Sequence, residues 1–185
     1  MRRIILASVG LLVCCFGSVG GGATRATAAT TATSEQHRAA LRWLGGQIAV
    51  YERETWSWER LMGTRPTETA GRQLAAMSVP DVRQALHLWQ KRAAQVRRLA
   101  EHPPHEAAFL CIHRFEGSWT DGGGPYYGGL QMDLVFQQTY APWLLRTKGT
   151  ADHWTPLEQI WTAEKAARSR GFWPWPNTAR FCGLI

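Results

Sequence analysis

The chain has little that could hold it in a membrane. Ile4 to Phe16 is almost wholly apolar, but the run ends at Gly17, short of the ~20 residues that span a bilayer comfortably. The basic Met1-Arg2-Arg3 precedes it, and small residues follow, including an Ala26-Thr27-Ala28 cleavage pattern. Residues 1–28 therefore read as an export signal. A retained anchor is the competing reading. A lipoprotein would use Cys14 or Cys15, and Val13 is a poor residue to precede a lipidated cysteine.

Cysteine is also scarce. Of four, two leave with the signal, and Cys111 and Cys182 remain. In an exported chain a lone pair is expected to join. That bridge closes a loop of about 70 residues, worth roughly 4 kcal/mol in the chain-entropy model. Metal-ligand spacing is weak: Cys111 and His113 stand at C-x-H and nothing completes a set. No metal and no cofactor are expected.

Charge is low, at 19% of residues against 45% apolar, which favours a packed core over disorder. Residues 29–105 hold 11 Lys/Arg and 7 Asp/Glu, whereas residues 106–185 hold 7 of each. The basic excess in the middle is either a solvated helix face or a surface for anionic polymers. Nucleic acid is not an expected partner. Ten tryptophans is a high count for 185 residues. Trp suits both cores and the flat faces of sugars, so the count proves neither.

Ala29 to Ser34 reads as a linker. Leu41, Leu44, Ile48, Tyr51 and Thr55 then recur at helical steps, continued by Trp56, Trp58, Leu61 and Met62. A second helix starts at Ser78 as N-cap, with Pro80 and Asp81 in its first turn. Its stripe is Val82, Leu86, Trp89, Ala93, Val96 and Leu99. The two suggest an antiparallel helical hairpin over residues 35–104. His102-Pro103-Pro104-His105 marks a boundary, and residues 105–185 form the second unit.

That unit opens with a helix from Glu106, buried through Ala108, Phe109, Cys111, Ile112 and Phe115, and stopped by a left-handed Gly117. Ser118 to Gly129 reads as a loop or short irregular hairpin. A helix follows from Asp133 as cap, through Val135, Phe136, Tyr140, Trp143 and Leu144. Thr155-Pro156-Leu157-Glu158 is a capping-box start, and Gly171 ends that helix. Phe172 to Asn177 reads as an extended aromatic-proline segment. The fold class is mainly α, a small α+β domain preceded by the helical hairpin.

Glycosidic cleavage needs a carboxylic acid kept protonated by apolar surroundings. Glu116 has Phe115 and Trp119 as sequence neighbours and stands at a helix end. The surrounding order is Cys111-Ile112-His113-Arg114-Phe115-Glu116-Gly117-Ser118-Trp119, then Tyr126-Tyr127-Gly128-Gly129-Leu130-Gln131-Met132. Glu158-Gln159-Ile160, Trp175-Pro176 and Cys182-Gly183-Leu184 follow. This order resembles the resuscitation-promoting factor type of transglycosylase-like domain, a compact branch of the lysozyme superfamily. The resemblance covers roughly the last eighty residues.

The resemblance implies a lysozyme-like fold, with Glu116 in the place of the catalytic glutamate. It implies that Asp133 matches an acidic cleft position, that Tyr127 and Gln131 line the floor, and that Gly128 and Gly129 approach the sugar. Trp119 and Trp175 match aromatic positions of the family. Asp133 also reads as a plain helix cap, and the two tryptophans as core. In the family a cysteine often directly precedes the glutamate; here four residues intervene, and the loop before Tyr126 is shorter. The implied substrate is peptidoglycan, outside the cell or in its envelope, cut by hydrolysis or by transglycosylation. Asp133 is the only second carboxylate the sequence offers. Other cell-wall proteins and anionic wall polymers are further partners it leaves open. A non-catalytic wall-binding or signalling protein on the same scaffold is the alternative. A third reading is a helical partner-binding protein working through Lys91 to Arg98.

Overall fold

The computed structural model describes residues 22–69, 71–74 and 76–185. Most of the expected export signal, residues 1–21, lies outside them. Contacts divide the chain into two units, residues 1–39 and 40–185. The described part of the first is helical backbone, the start of α1 (Gly22–Met62). The linker expected over residues 29–34 is therefore helix. Alanine is the best helix former, and threonine costs only a fraction of a kcal/mol per residue, so composition alone misled.

The second unit is mainly helical. After α1 come α2 (Gly71–Leu74), α3 (Val79–Ala100), α4 (Glu106–Glu116), α5 (Leu134–Tyr140), α6 (Pro142–Lys148), α7 (Pro156–Arg170) and α8 (Pro176–Phe181). Strands β1 (Tyr126–Tyr127) and β2 (Met132–Asp133) form one antiparallel pair, with Tyr126 opposite Asp133. Among the described residues no helix is long and apolar enough to cross a membrane. The expected caps are present. Ser78 accepts from the Asp81 N–H, and Thr155 and Glu158 form a reciprocal capping box.

The two long helices are not an antiparallel hairpin. Trp56 meets Trp89, and Glu59 meets Arg92, so contacts advance along both helices together. Leu44 and Ile48 share a cluster with Val82, while Leu61 and Met62 share one with Val96 and Ala100. α1 and α3 therefore run parallel. The connection between them returns along α1. Thr67 accepts the Trp56 indole N–H at 2.8 Å, Thr69 donates to Glu52 at 2.9 Å, and Leu74 lies against Gly45. Glu59 anchors this return, accepting from Thr67 N, Thr67 Oγ1 and Arg92 at 2.6 to 2.9 Å. Burial disfavours its anion, but Thr67 and then Arg92 outweigh burial and hold its pKa below the ordinary value.

Past His105 the chain shares its core with the long helices. Leu61, Met62, Val96 and Ala100 join Phe109, Ile112, Leu130, Leu144, Ile160 and Trp175. Trp161 donates to Ala100 O at 2.7 Å, and Arg168 to Met62 O at 2.7 Å. His105 marks a turn of the chain, not a gap between cores.

Two local expectations also change. The helix expected to run from Asp133 through Leu144 breaks at Ala141 (φ −146°, ψ 50°). Pro142 disfavours helical backbone in the residue before it and offers no N–H, so α6 starts afresh. The segment Phe172 to Asn177 is not extended: it turns and enters α8 at Pro176. Cys111 of α4 is bonded to Cys182 at the end of α8, 71 residues on, with Cα atoms 6.0 Å apart.

Candidate functional site

Glu116 is the last residue of α4 and is half-buried. Its Oε1 accepts from the Thr178 hydroxyl at 2.8 Å. Thr178 is buried on α8, and its hydroxyl also lies 3.3 Å from Trp175 O. A hydroxyl has one proton and two lone pairs. Thr178 donates to Oε1 both when the carboxyl is ionised and when it carries a proton on Oε2, and Oε2 has no partner among the described residues.

Gly117 does not stop α4 in a left-handed conformation. Its φ of 164° is extended. The glycine is needed for space, since a Cβ there would lie 3.1 Å from Gln131 Nε2 and 3.2 Å from Asp121 Oδ2. These contacts bring two side chains to the residue beside Glu116. Asp121 is a carboxylate that sequence reading missed, having treated its Asp-Gly-Gly-Gly run as turn chemistry alone. Its Oδ2 accepts from Gln131 Nε2 at 2.9 Å, and its Oδ1 from the Gly123 N–H at 3.1 Å.

Gln131 has φ 48°, the sole non-glycine in the left-handed region among the described residues. Such backbone costs a non-glycine residue of order 1 kcal/mol or more and persists where surroundings fix it. Gln131 Nε2 donates to Asp121 and, at 3.0 Å, to Gly128 O. Both amide protons are used, so Gln131 offers only its Oε1 outward.

Gln131 lines a groove of about 410 Å³ together with Tyr126, Asp133, Tyr140, Arg170 and Trp175. Glu116 is not among its lining residues. Two links tie them: Gly117 packs on Gln131, and α8 begins beside the groove at Trp175 and holds Glu116 through Thr178. Asp133 caps α5 as expected, its Oδ1 accepting the Phe136 N–H at 2.7 Å, and it also lines the groove.

The remaining candidates fall elsewhere. Tyr127 packs against the core, and Tyr126 lines the groove in its place, because neighbours on a strand face opposite ways. Trp119 stacks on His113 with ring centroids 3.9 Å apart, away from the groove lining. Trp175 is buried and donates to Leu130 O at 2.7 Å while one face lines the groove. Phe115, expected to shelter Glu116, is 57% exposed and leans on Phe181. The space above Gly128 is taken by Gln159, and that above Gly129 by His113 and Trp119. Neither glycine is left open for a sugar to approach.

Two buried glutamines brace this region. Gln159 accepts from Gly129 N and donates to the carbonyls of Trp119, Ala151 and Trp154, all within 3.1 Å. Gln137 donates to Met132 O at 2.7 Å and accepts from Ala151 N at 3.0 Å. Among the described residues no cluster of His, Cys, Asp and Glu is arranged to hold a metal. The fold and site together define a mainly α protein with a disulfide and a carboxyl-bearing groove. Comparison with family models, with curated proteins and with solved structures gives no match.

Proposed function

We propose that this chain is an exported enzyme that cleaves the glycan strands of bacterial peptidoglycan, with Glu116 as general acid and then base. The observation that carries the reading is the Glu116–Thr178 pair beside the Gln131 groove. A carboxyl held on one oxygen by a hydroxyl that tolerates both protonation states suits an acid that gives and regains a proton. The motif order around it, similar to the transglycosylase-like domains, adds the substrate class. The disulfide and the basic, apolar N-terminus are compatible with export.

In this mechanism Glu116 Oε2 protonates the oxygen between N-acetylmuramic acid and N-acetylglucosamine as an oxocarbenium-like centre develops. Glu116, now ionised, keeps the hydrogen bond that Thr178 donates to Oε1. It then draws a proton from water or from the muramic 6-hydroxyl, giving a muramidase or a lytic transglycosylase. Digestion of purified peptidoglycan by the full chain and by Glu116→Gln, with products weighed by mass spectrometry, tests this. Soluble muropeptides from the native chain alone are expected. Reducing ends mean hydrolysis, and anhydro ends, lighter by one water, mean transglycosylation. No soluble product from the native chain would sink the proposal, and equal release by Glu116→Gln would remove Glu116 from its role.

A further inference from the structure

The lining of the groove beside Gln131 includes acceptors. Gln131 has both Nε2 protons committed to Asp121 and Gly128, so it presents Oε1 alone. Asp133 spends Oδ1 on its helix cap and lines the groove as a carboxylate. The sole Lys, Arg or His that lines the groove is Arg170, the last residue of α7. Its neighbour Arg168 is engaged with Met62 O. Arg170 makes no ion pair with the described residues. Tyr126, Phe136, Tyr140 and Trp175 add apolar and aromatic surface to the lining.

We infer that Arg170 selects ligands carrying a carboxylate. The guanidinium is a planar donor array suited to a carboxylate, and a charge-assisted bond there is stronger than a neutral one. Gln131 Oε1 and Asp133 accept hydroxyl or amide N–H donors. A sugar carrying both a carboxylate and such donors therefore matches the lining. Resting on the proposed function, this names the muramic acid unit as occupant: its free lactyl carboxylate in peptide-free strands, or a carboxylate of the peptide stem. An all-N-acetylglucosamine strand offers the donors without the acid.

Binding to the full chain carrying Glu116→Gln, which stops turnover, tests the inference by titration calorimetry. The probes are chitotetraose, a peptide-free tetrasaccharide of alternating N-acetylglucosamine and N-acetylmuramic acid, and the same tetrasaccharide bearing stems. At least one acidic probe is expected to bind about tenfold or more tightly than chitotetraose, with the advantage shrinking at high salt. The acidic probe that shows the advantage identifies the carboxylate's source. Adding Arg170→Gln should abolish the advantage, and Arg170→Lys should retain part of it. Equal affinity for all three sugars overturns the role of Arg170 and leaves the glycan reading standing. An advantage that survives Arg170→Gln also overturns it. Failure to bind any of the three overturns both.

Discussion

At the scale of single residues, the site rests on which atoms are already committed. Thr178 was invisible in the sequence, where it merely follows a segment, Phe172 to Asn177, that reads as extended. Only the fold brings it to Glu116, 62 positions away. Thr178→Val removes the hydroxyl at nearly constant volume and leaves Glu116 Oε1 without its donor. One lost hydrogen bond to a charged group is worth about 1.5 kcal/mol. Glycan release should therefore fall roughly tenfold, with kcat affected more than KM. Thr178→Ser should restore most of it. Rates of the three proteins on one peptidoglycan preparation check this, and an unchanged kcat in Thr178→Val would separate Thr178 from the proton transfer.

The same scale shows what the sequence could yield. Glu116, Gln131 and Asp133 stand out as candidates because they lie in one short run of spaced motifs. Tyr126 against Tyr127 was not, because a two-residue strand has no alternation long enough to reveal its inward face. Asp121 was hidden by its glycines, which signal a turn whether or not the aspartate also orients a neighbour.

At the scale of elements, start signals were legible and directions were not. The caps at Ser78 and Thr155 are local chemistry, and both form as expected. The parallel course of α1 and α3 depends on the return of the chain after Gly63, where Glu52, Glu59 and Trp56 reach across to Thr67 and Thr69. Nothing in helical periodicity encodes that. The β1–β2 turn has a comparable dependence. Gly128 has φ +73°, and a Cβ there would run into the Gln159 amide. Gly128→Ala should cost at least about 2 kcal/mol from left-handed strain and from displacing a buried amide with several partners. Gly171→Ala has the same strain (φ +55°) with open space around it and should cost about half as much. Urea unfolding of both variants gives the comparison.

Lys165 links α7 to the end of α1 and gives a pH-dependent test. Its stem lies against Gly63, and burial, helped by the charge of Arg168, lowers its pKa from 10.5 to about 8. Below pH 8 the folded protein keeps a buried cation and bears the full cost. Between about pH 8 and 10.5 the unfolded chain holds more protons than the folded one, so this residue makes stability rise with pH. The shift corresponds to about 3 kcal/mol, an upper figure for a partly exposed group. Lys165→Met should therefore raise stability by roughly 1–3 kcal/mol at pH 7. The gain should shrink as pH rises from about 8 and be mostly gone by pH 10. Thermal unfolding of both proteins at pH 7 and pH 10 measures it, and an equal gain at the two pH values would assign the effect to packing alone.

At the scale of the whole molecule, Cys182 is tied to the helix that carries Glu116. The Cys111–Cys182 bond spans 71 residues, and the chain-entropy model gives such a loop about 4 kcal/mol. Stability and site geometry draw on the same bond, because Cys111 lies on α4 with Glu116 and Cys182 caps α8, which carries Thr178. Reduction should therefore act at two levels. The Cys111→Ser/Cys182→Ser chain should unfold at lower denaturant, losing about 4 kcal/mol. It should also lose glycan release under conditions where far-UV circular dichroism still reports a folded protein, because α8 can then drift from α4. The core contacts of Trp161 and Arg168 with the long helices do not depend on the bond and should keep the rest together. Denaturant curves and activity measured on the same samples separate the two effects. A variant that loses stability but keeps full activity while folded would show that α4 and α8 hold Glu116 and Thr178 together without the covalent tie.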